Sequence, residues 1–216
     1  MRKPLLLLGT ILSFFWTYSQ EISQAKALLE EVSQQTAGYT NIVLDFDHRL
    51  DNVEADVHQQ ASGRLSLQGE RYHLDYMGIE QLFDGQYIYL IIHEDEEVII
   101  QSPGDEESIM SPSKILSFWK SGYQITMGNL SNLDKRTVQE LILTPIDSDT
   151  DIEEVVIGID MDTKHLYQIT ETGKNSTVTS YLIRHFKVDQ PLDDKQFTFD
   201  RENYENEKNY TISETD

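Results

Sequence analysis

Between Gly63 and Ile92 apolar side chains return on every second residue: Leu65 and Leu67, then Tyr72, Leu74 and Tyr76, with mostly polar residues between. A period of two places those side chains on one face of extended backbone, so the tract predicts a meander of antiparallel strands. Gly69-Glu70 and Asp84-Gly85 separate the runs, where a reversing chain favours residues that tolerate positive φ. Tyr87 to Ile92 is apolar on both faces, the pattern of a strand buried on both sides or set against an apolar pocket. A chain built on this tract offers a broad apolar, aromatic sheet face, and its function turns on what that face touches.

The flanking sequence extends the same architecture. Ser23 can cap a helix running to about Gln35, with Gly38 beyond its end. Ile22, Ala25, Leu29 and Val32 follow 3-4-3 spacing and Glu30-Glu31 lie off that stripe, so one face packs. Strands are expected over Tyr39 to Leu50, Val57 to Gln68, Glu97 to Ser102, Thr137 to Ile146, Ile152 to Asp160, Lys164 to Glu171 and Ser176 to Val188, with Phe197 and Phe199 in a last short one. Ser111-Pro112 opens a short second helix closed by Gly122, and its Ile115, Phe118 and Trp119 stand at i, i+3 and i+4. The strands come in runs instead of alternating with helices, so the sheet is antiparallel and the fold mainly β (α+β). A single curved sheet with helices against its concave face fits this order, and so does a closed barrel. From residue 203 onward the chain reads as a polar, acidic, frayed tail.

The N-terminus reads as an address. Arg2 and Lys3 precede an apolar run from Leu5 to Trp16, and Thr17 and Ser19 are small residues spaced for cleavage before Gln20. The run is short for a span that needs ~20 apolar residues, so residues 1–19 are expected to be a cleaved signal peptide. Of the 216 residues, removing the first 19 leaves 197, enough for one domain, taken as 20–202, followed by the tail 203–216. The chain has no cysteine, which excludes disulfides, thiol catalysis, thiolate metal sites and lipid attachment to a cysteine after the signal. Its net charge of −21, which becomes −23 without Arg2 and Lys3, repels phosphate backbones and argues against nucleic acid as a partner.

Signals for covalent chemistry are weak. There is no G-x-S-x-G elbow, P-loop or G-x-G-x-x-G. His93-Glu94 lacks the second histidine of a zinc helix and lies between strands; His73 and His185 alternate with apolar neighbours and read as outward-facing. Asp147, Asp149 and Asp151 have the spacing that opens a calcium loop, but Ile152 and Gly158 occupy the positions needing glycine and a bidentate acid. No cofactor or metal is implied. On residues alone, the aromatic and aliphatic stripes are either ordinary core or the lining of a ligand cavity.

Taken in order, the residues resemble the periplasmic outer-membrane lipoprotein carrier family, LolA-like. The resemblance runs from the signal and first helix near Tyr39 to Phe46, through Gly63-Arg64-Leu65, Tyr72-His73-Leu74 and Phe83-Asp84-Gly85-Gln86-Tyr87-Ile88-Tyr89. It continues in Ser111-Pro112-Ser113-Lys114-Ile115-Leu116, Leu143-Thr144-Pro145 and Phe197-Thr198-Phe199, nearly the whole mature chain. The resemblance implies an unclosed antiparallel β-barrel with a helical lid over an apolar concavity. It implies a soluble, monomeric, non-enzymatic periplasmic chaperone of a Gram-negative bacterium. Such a carrier accepts lipoproteins from an inner-membrane ABC transporter, shields their acyl chains and delivers them to the outer membrane, where a receptor can take them. Shielding has a physical basis, since each CH₂ removed from water is worth ~0.8 kcal/mol.

With strand parity, the resemblance implies a cavity lined by Ile42, Leu44, Phe46, Leu65, Leu67, Tyr72, Leu74, Tyr87 and Tyr89, continued by Leu141, Leu143, Ile157 and Ile159. The lid would present Ile115, Phe118 and Trp119, helped by Leu29 and Val32. Family members carry an Arg-Pro pair whose arginine bonds the lid; here Gly69-Glu70 stands in that place, with Arg71 nearby as the candidate lid-locking base. Two other classes stay open: an envelope-stress sensor or regulatory binding domain of the same fold, and a periplasmic hydrolase.

Overall fold

The computed structural model describes residues 9–103 and 118–215, and the side chains of residues 22–103 and 119–215. The expected helix from Ser111, with Ile115 and the side chain of Phe118, therefore lies outside the described residues, as do residues 1–8 and 104–110.

Helix α1 spans Gly9–Ala37, longer than the segment capped at Ser23. The sequence explains the extension: residues 10–37 contain neither glycine nor proline, so nothing interrupts propagation through Ser23. It ends as expected at Gly38, whose N–H donates to the Gln35 carbonyl (3.1 Å). Ala25, Leu28, Leu29 and Val32 are buried, while Glu30 and Glu31 face solvent. No helix among the described residues is long and apolar enough to cross a membrane.

Twelve strands follow: β1 Asn41–Asn52, β2 Val57–Gln68, β3 Arg71–Tyr76, β4 Ile79–Phe83, β5 Ile88–Ile92, β6 Glu97–Gln101, β7 Tyr123–Leu133, β8 Arg136–Pro145, β9 Ile152–Asp160, β10 Leu166–Gly173, β11 Val178–Val188 and β12 Thr211–Thr215. They form one sheet in the order β12-β6-β5-β4-β3-β2-β1-β11-β10-β9-β8-β7. Two meanders meet at the antiparallel β1–β11 pair, and no pairing among the described residues joins β7 to the opposite edge, so the barrel is unclosed.

Four features differ from the sequence expectation. A third reversal at Met77-Gly78, both at positive φ, splits the tract after Tyr76 into β3 and β4. Strand β7 was not expected, because Gly128 and a register shift between Met127 and Leu130 break its alternation. Phe197 ends a 3₁₀ turn, Asp194–Phe197, in place of a closing strand. The tail is not frayed: Phe199, Tyr204, Tyr210 and Ile212 pack on Leu82, Tyr89, Ile91, Val98 and Ile100, and β12 pairs parallel with β6. Its charged composition hides three apolar anchors, Tyr204, Tyr210 and Ile212, which with Phe199 just before it order it.

The tail runs over a polar node. The Glu80 carboxylate meets Nε2 of both His73 (2.9 Å) and His93 (2.8 Å), and His93 Nδ1 reaches the Tyr210 hydroxyl (3.0 Å). The His73 hydrogen bond, helped by His93 against the opposing cost of burial, holds the Glu80 carboxyl down to about 2. A depressed carboxyl contributes stability above its unfolded value near 4.5 that is lost as pH falls toward about 2. Glu80→Gln is therefore expected to lower the thermal midpoint at pH 6 and to converge with the parent protein near pH 2. Parallel midpoint curves from pH 6 to 2 would contradict that role.

Candidate functional site

Register defines the two faces of the sheet. Ile42 pairs with Leu67, Leu67 with Tyr72, Tyr72 with Phe83 and Phe83 with Ile88, so these five side chains form one row on the face that α1 also contacts. Leu44, Leu65 and Leu74 form the next row of this inner face. Alternation sends the charges of β1 and β2 outward, where Asp45 accepts from Arg64 (2.6 Å) and Asp47 from Arg184 (2.5 Å) and Ser62 (2.8 Å). Those hydrogen bonds, Arg64 first for Asp45 and Arg184 first for Asp47, hold both carboxyls below their ordinary values.

The inner face carries two buried clusters. One joins Ile42, Leu44, Leu65, Leu67, Tyr72, Leu74 and Ile183, with Phe46 packed against it. The other joins Leu141, Leu143, Ile157 and Ile159 to Leu29 and Val32 of α1 and to Trp119. Leu166 touches both, which makes the apolar surface continuous from β3 to β8. Their surroundings differ. The β7–β9 half is covered by α1 and Trp119, whereas the first cluster, apart from Tyr39, is built wholly from sheet residues among those described. The end of α1 is tied down beside it: Gln35 donates to the Tyr39 hydroxyl (2.7 Å), which bonds His165 (2.9 Å), and the His165 ring stacks on Phe186 at 4.0 Å. Burial pushes His165 below its ordinary value, so the neutral ring suits this stack.

Eleven of the thirteen residues expected in the cavity thus lie in or against the two inner clusters. Tyr87 and Tyr89 are corrections. The Asp84 carboxylate accepts from the N–H groups of Gln86 and Tyr87 and closes a loop that pairs Phe83 with Ile88. Even-numbered residues of β5 therefore face inward, and Tyr89 points outward, stacked on Phe199 at 4.6 Å. Tyr87 shares the outward parity and is exposed. Arg71 is corrected for the same reason: in register it lies opposite to Tyr72, where it donates to Asp194 (2.9 Å) and sits over the Phe197 ring. Pointing away from the inner face, it cannot lock anything across that face. Trp119 is buried in the same cluster as the α1 stripe.

Sequence parity missed Ile183 and Phe186, because the β1–β11 register shifts between Asp45 and Phe46 and breaks the alternation of β11. The expected cavity also left out His48, which follows the inward parity of Phe46, and Tyr76, which the alternation with Leu74 already sets on this face. Gly63 has a clear task here: a Cβ on it would stand 2.5 Å from Phe46 Cζ, so only glycine lets that ring lie across β2.

The class defined by these features is an open sheet of predominantly antiparallel strands with a helix on its inner face. No protein-family model and no curated protein matches the sequence. Among solved structures, an uncharacterized conserved protein from Thermus thermophilus is 8% identical, with 89% of this chain and 99% of that one covered and a TM-score of 0.60. MucB, also solved with MucA from Pseudomonas aeruginosa, is 14% identical over 83% of this chain and 64% of its own, with a TM-score of 0.51. A LolA superfamily protein from Nitrosomonas europaea is 13% identical over 81% of this chain and 97% of its own, with a TM-score of 0.42. At these identities the likeness to the Thermus protein and to MucB is one of fold.

Proposed function

We propose that this chain is an exported carrier that binds lipoprotein acyl chains on its apolar inner face and moves them across the periplasm by binding alone, without covalent chemistry. The observation that carries this reading is the extent of the inner apolar surface, where the β1–β3 and β11 cluster is continuous through Leu166 with the cluster beneath α1. An apolar surface of that breadth, once opened, suits hydrocarbon, and acyl chains supply it. Placing the aspartates and the arginine of β1 on the opposite face keeps the inner surface free of their desolvation cost. In this reading residues 1–19 are removed on export, an inner-membrane ABC transporter loads the protein, and an outer-membrane receptor or the membrane itself unloads it.

Native mass spectrometry of the protein purified from an envelope extract tests this. The expected result is a mass increment matching a tri-acylated lipoprotein. A protein that stays bare after incubation with detergent-solubilised lipoprotein overturns the carrier reading. The second reading, a regulatory binding domain, draws on the fold shared with MucB, which is solved as a complex with MucA. It would be favoured by stoichiometric capture of an envelope protein that carries no acyl chains.

A further inference from the structure

We propose that His48, Tyr76 and Tyr181 form a subsite at the mouth of the inner face for the uncharged carbonyl that links an acyl chain to its headgroup. The inference rests on the reading that this face holds acyl chains, and it names what that face recognises besides hydrocarbon.

Position comes first. His48 pairs with Tyr181 across β1 and β11, while Tyr76 faces Gly63 beside Phe46, so all three side chains share the inner parity. The Tyr76 hydroxyl and His48 Nδ1 are 2.6 Å apart, and the His48 and Tyr181 rings lie 4.9 Å apart. Phe46 touches both tyrosines, with ring centres 5.8 and 6.0 Å away, and joins the group to the apolar cluster. Along the inner face burial falls off toward this end: Leu65 is 5% and Leu74 7% exposed, but beside the buried His48 (7%) Tyr181 is 38% and Ile79 41%. The polar group therefore sits where the apolar surface meets water, the place a headgroup linkage occupies when its chains run inward.

Chemistry selects the ligand. Burial pushes His48 down and both tyrosines up, so at neutral pH the group is neutral. The Tyr76 hydroxyl and the neutral His48 imidazole carry two protons between them and use one in their mutual hydrogen bond, so either tautomer leaves one donor, the His48 Nε2–H or the Tyr76 O–H, for a ligand. The Tyr181 hydroxyl is a second donor. No lysine or arginine belongs to the cluster; Arg49 and Arg184, on the same strands, point outward. Neutral donors without a cation suit an ester or amide oxygen and leave a carboxylate or phosphate uncompensated.

The test is displacement of an apolar fluorophore from the full chain by methyl laurate and by an alkane of the same chain length. The parent protein is expected to prefer the ester about tenfold, the worth of one or two hydrogen bonds. Tyr76→Phe and His48→Phe should cut that preference to about twofold while alkane affinity and the thermal midpoint hold. A preference that survives in both variants, or is missing from the parent protein, overturns the subsite. Failure of the fluorophore itself to bind overturns the acyl-binding reading beneath it, a separate result. A triacylated cysteinyl lipopeptide and a diacylglycerol then distinguish the sources of the carbonyl: tighter binding of the lipopeptide assigns the subsite to lipoproteins, and equal binding assigns it to glycerolipids.

Discussion

Leu141→Ala is expected to destabilise the protein by about 3–5 kcal/mol and to lower its thermal midpoint by about 10 °C or more. Leu141 is fully buried, paired with Met127 on one side and Ile157 on the other, beneath the packed stripe of α1. A cavity there is enclosed by sheet below and helix above, so little can relax into it. Trp119→Ala belongs in the same range, because that side chain is buried in the same cluster. The sequence expectation was the reverse, a lid residue whose loss spares the midpoint. Thermal melts of the two variants decide the matter, and an unchanged midpoint for Trp119→Ala would restore the lid role.

Leu74→Glu is expected to abolish acyl binding, by ~100-fold or more, in a protein that keeps its sheet. Leu74 sits between Leu65 and Gln81 on the inner face, in the cluster whose members among the described residues are, apart from Tyr39, sheet residues. A carboxylate there has to be desolvated when a chain occupies the face, at a cost of several kcal/mol, and ~3 kcal/mol already exceeds 100-fold in affinity. Asp75→Ala is the matched control, one residue along β3 and exposed on the other face. Fluorophore binding and far-ultraviolet circular dichroism on the pair provide the check. Binding unimpaired in Leu74→Glu would overturn the assignment of the inner face as the acyl site.

How much of this could be read from the chain depends on the range of each interaction. The limits of β2 and β9, the end of α1 at Gly38, and the shared inner face of Ile42, Leu44, Leu65, Leu67, Tyr72 and Leu74 follow from local periodicity and turn residues. Strand parity is a short-range property, and it holds wherever no bulge or loop intervenes. It failed at Tyr87 and Tyr89, where the Asp84 loop resets the register by one residue, and in β11, where a bulge separates Ile183 from Phe186. It also missed β7, whose glycine and register shift leave no clean alternation.

The sequence by itself determined a mainly β chain with an amphipathic first helix and a sheet face too apolar to stand in water. Periodicity and composition are written residue by residue, so they survive without knowledge of contacts. Only the tertiary structure decided which elements cover that face. It sent Arg71 to the outer side, set Trp119 beside the α1 stripe, and laid Phe199, Tyr204 and Tyr210 across the back of the sheet. It also brought His48 from β1, Tyr76 from β3 and Tyr181 from β11 to one end of the inner face. Those outcomes depend on strand order and register, which arise from contacts between residues 28 to more than a hundred positions apart, and no local pattern encodes them.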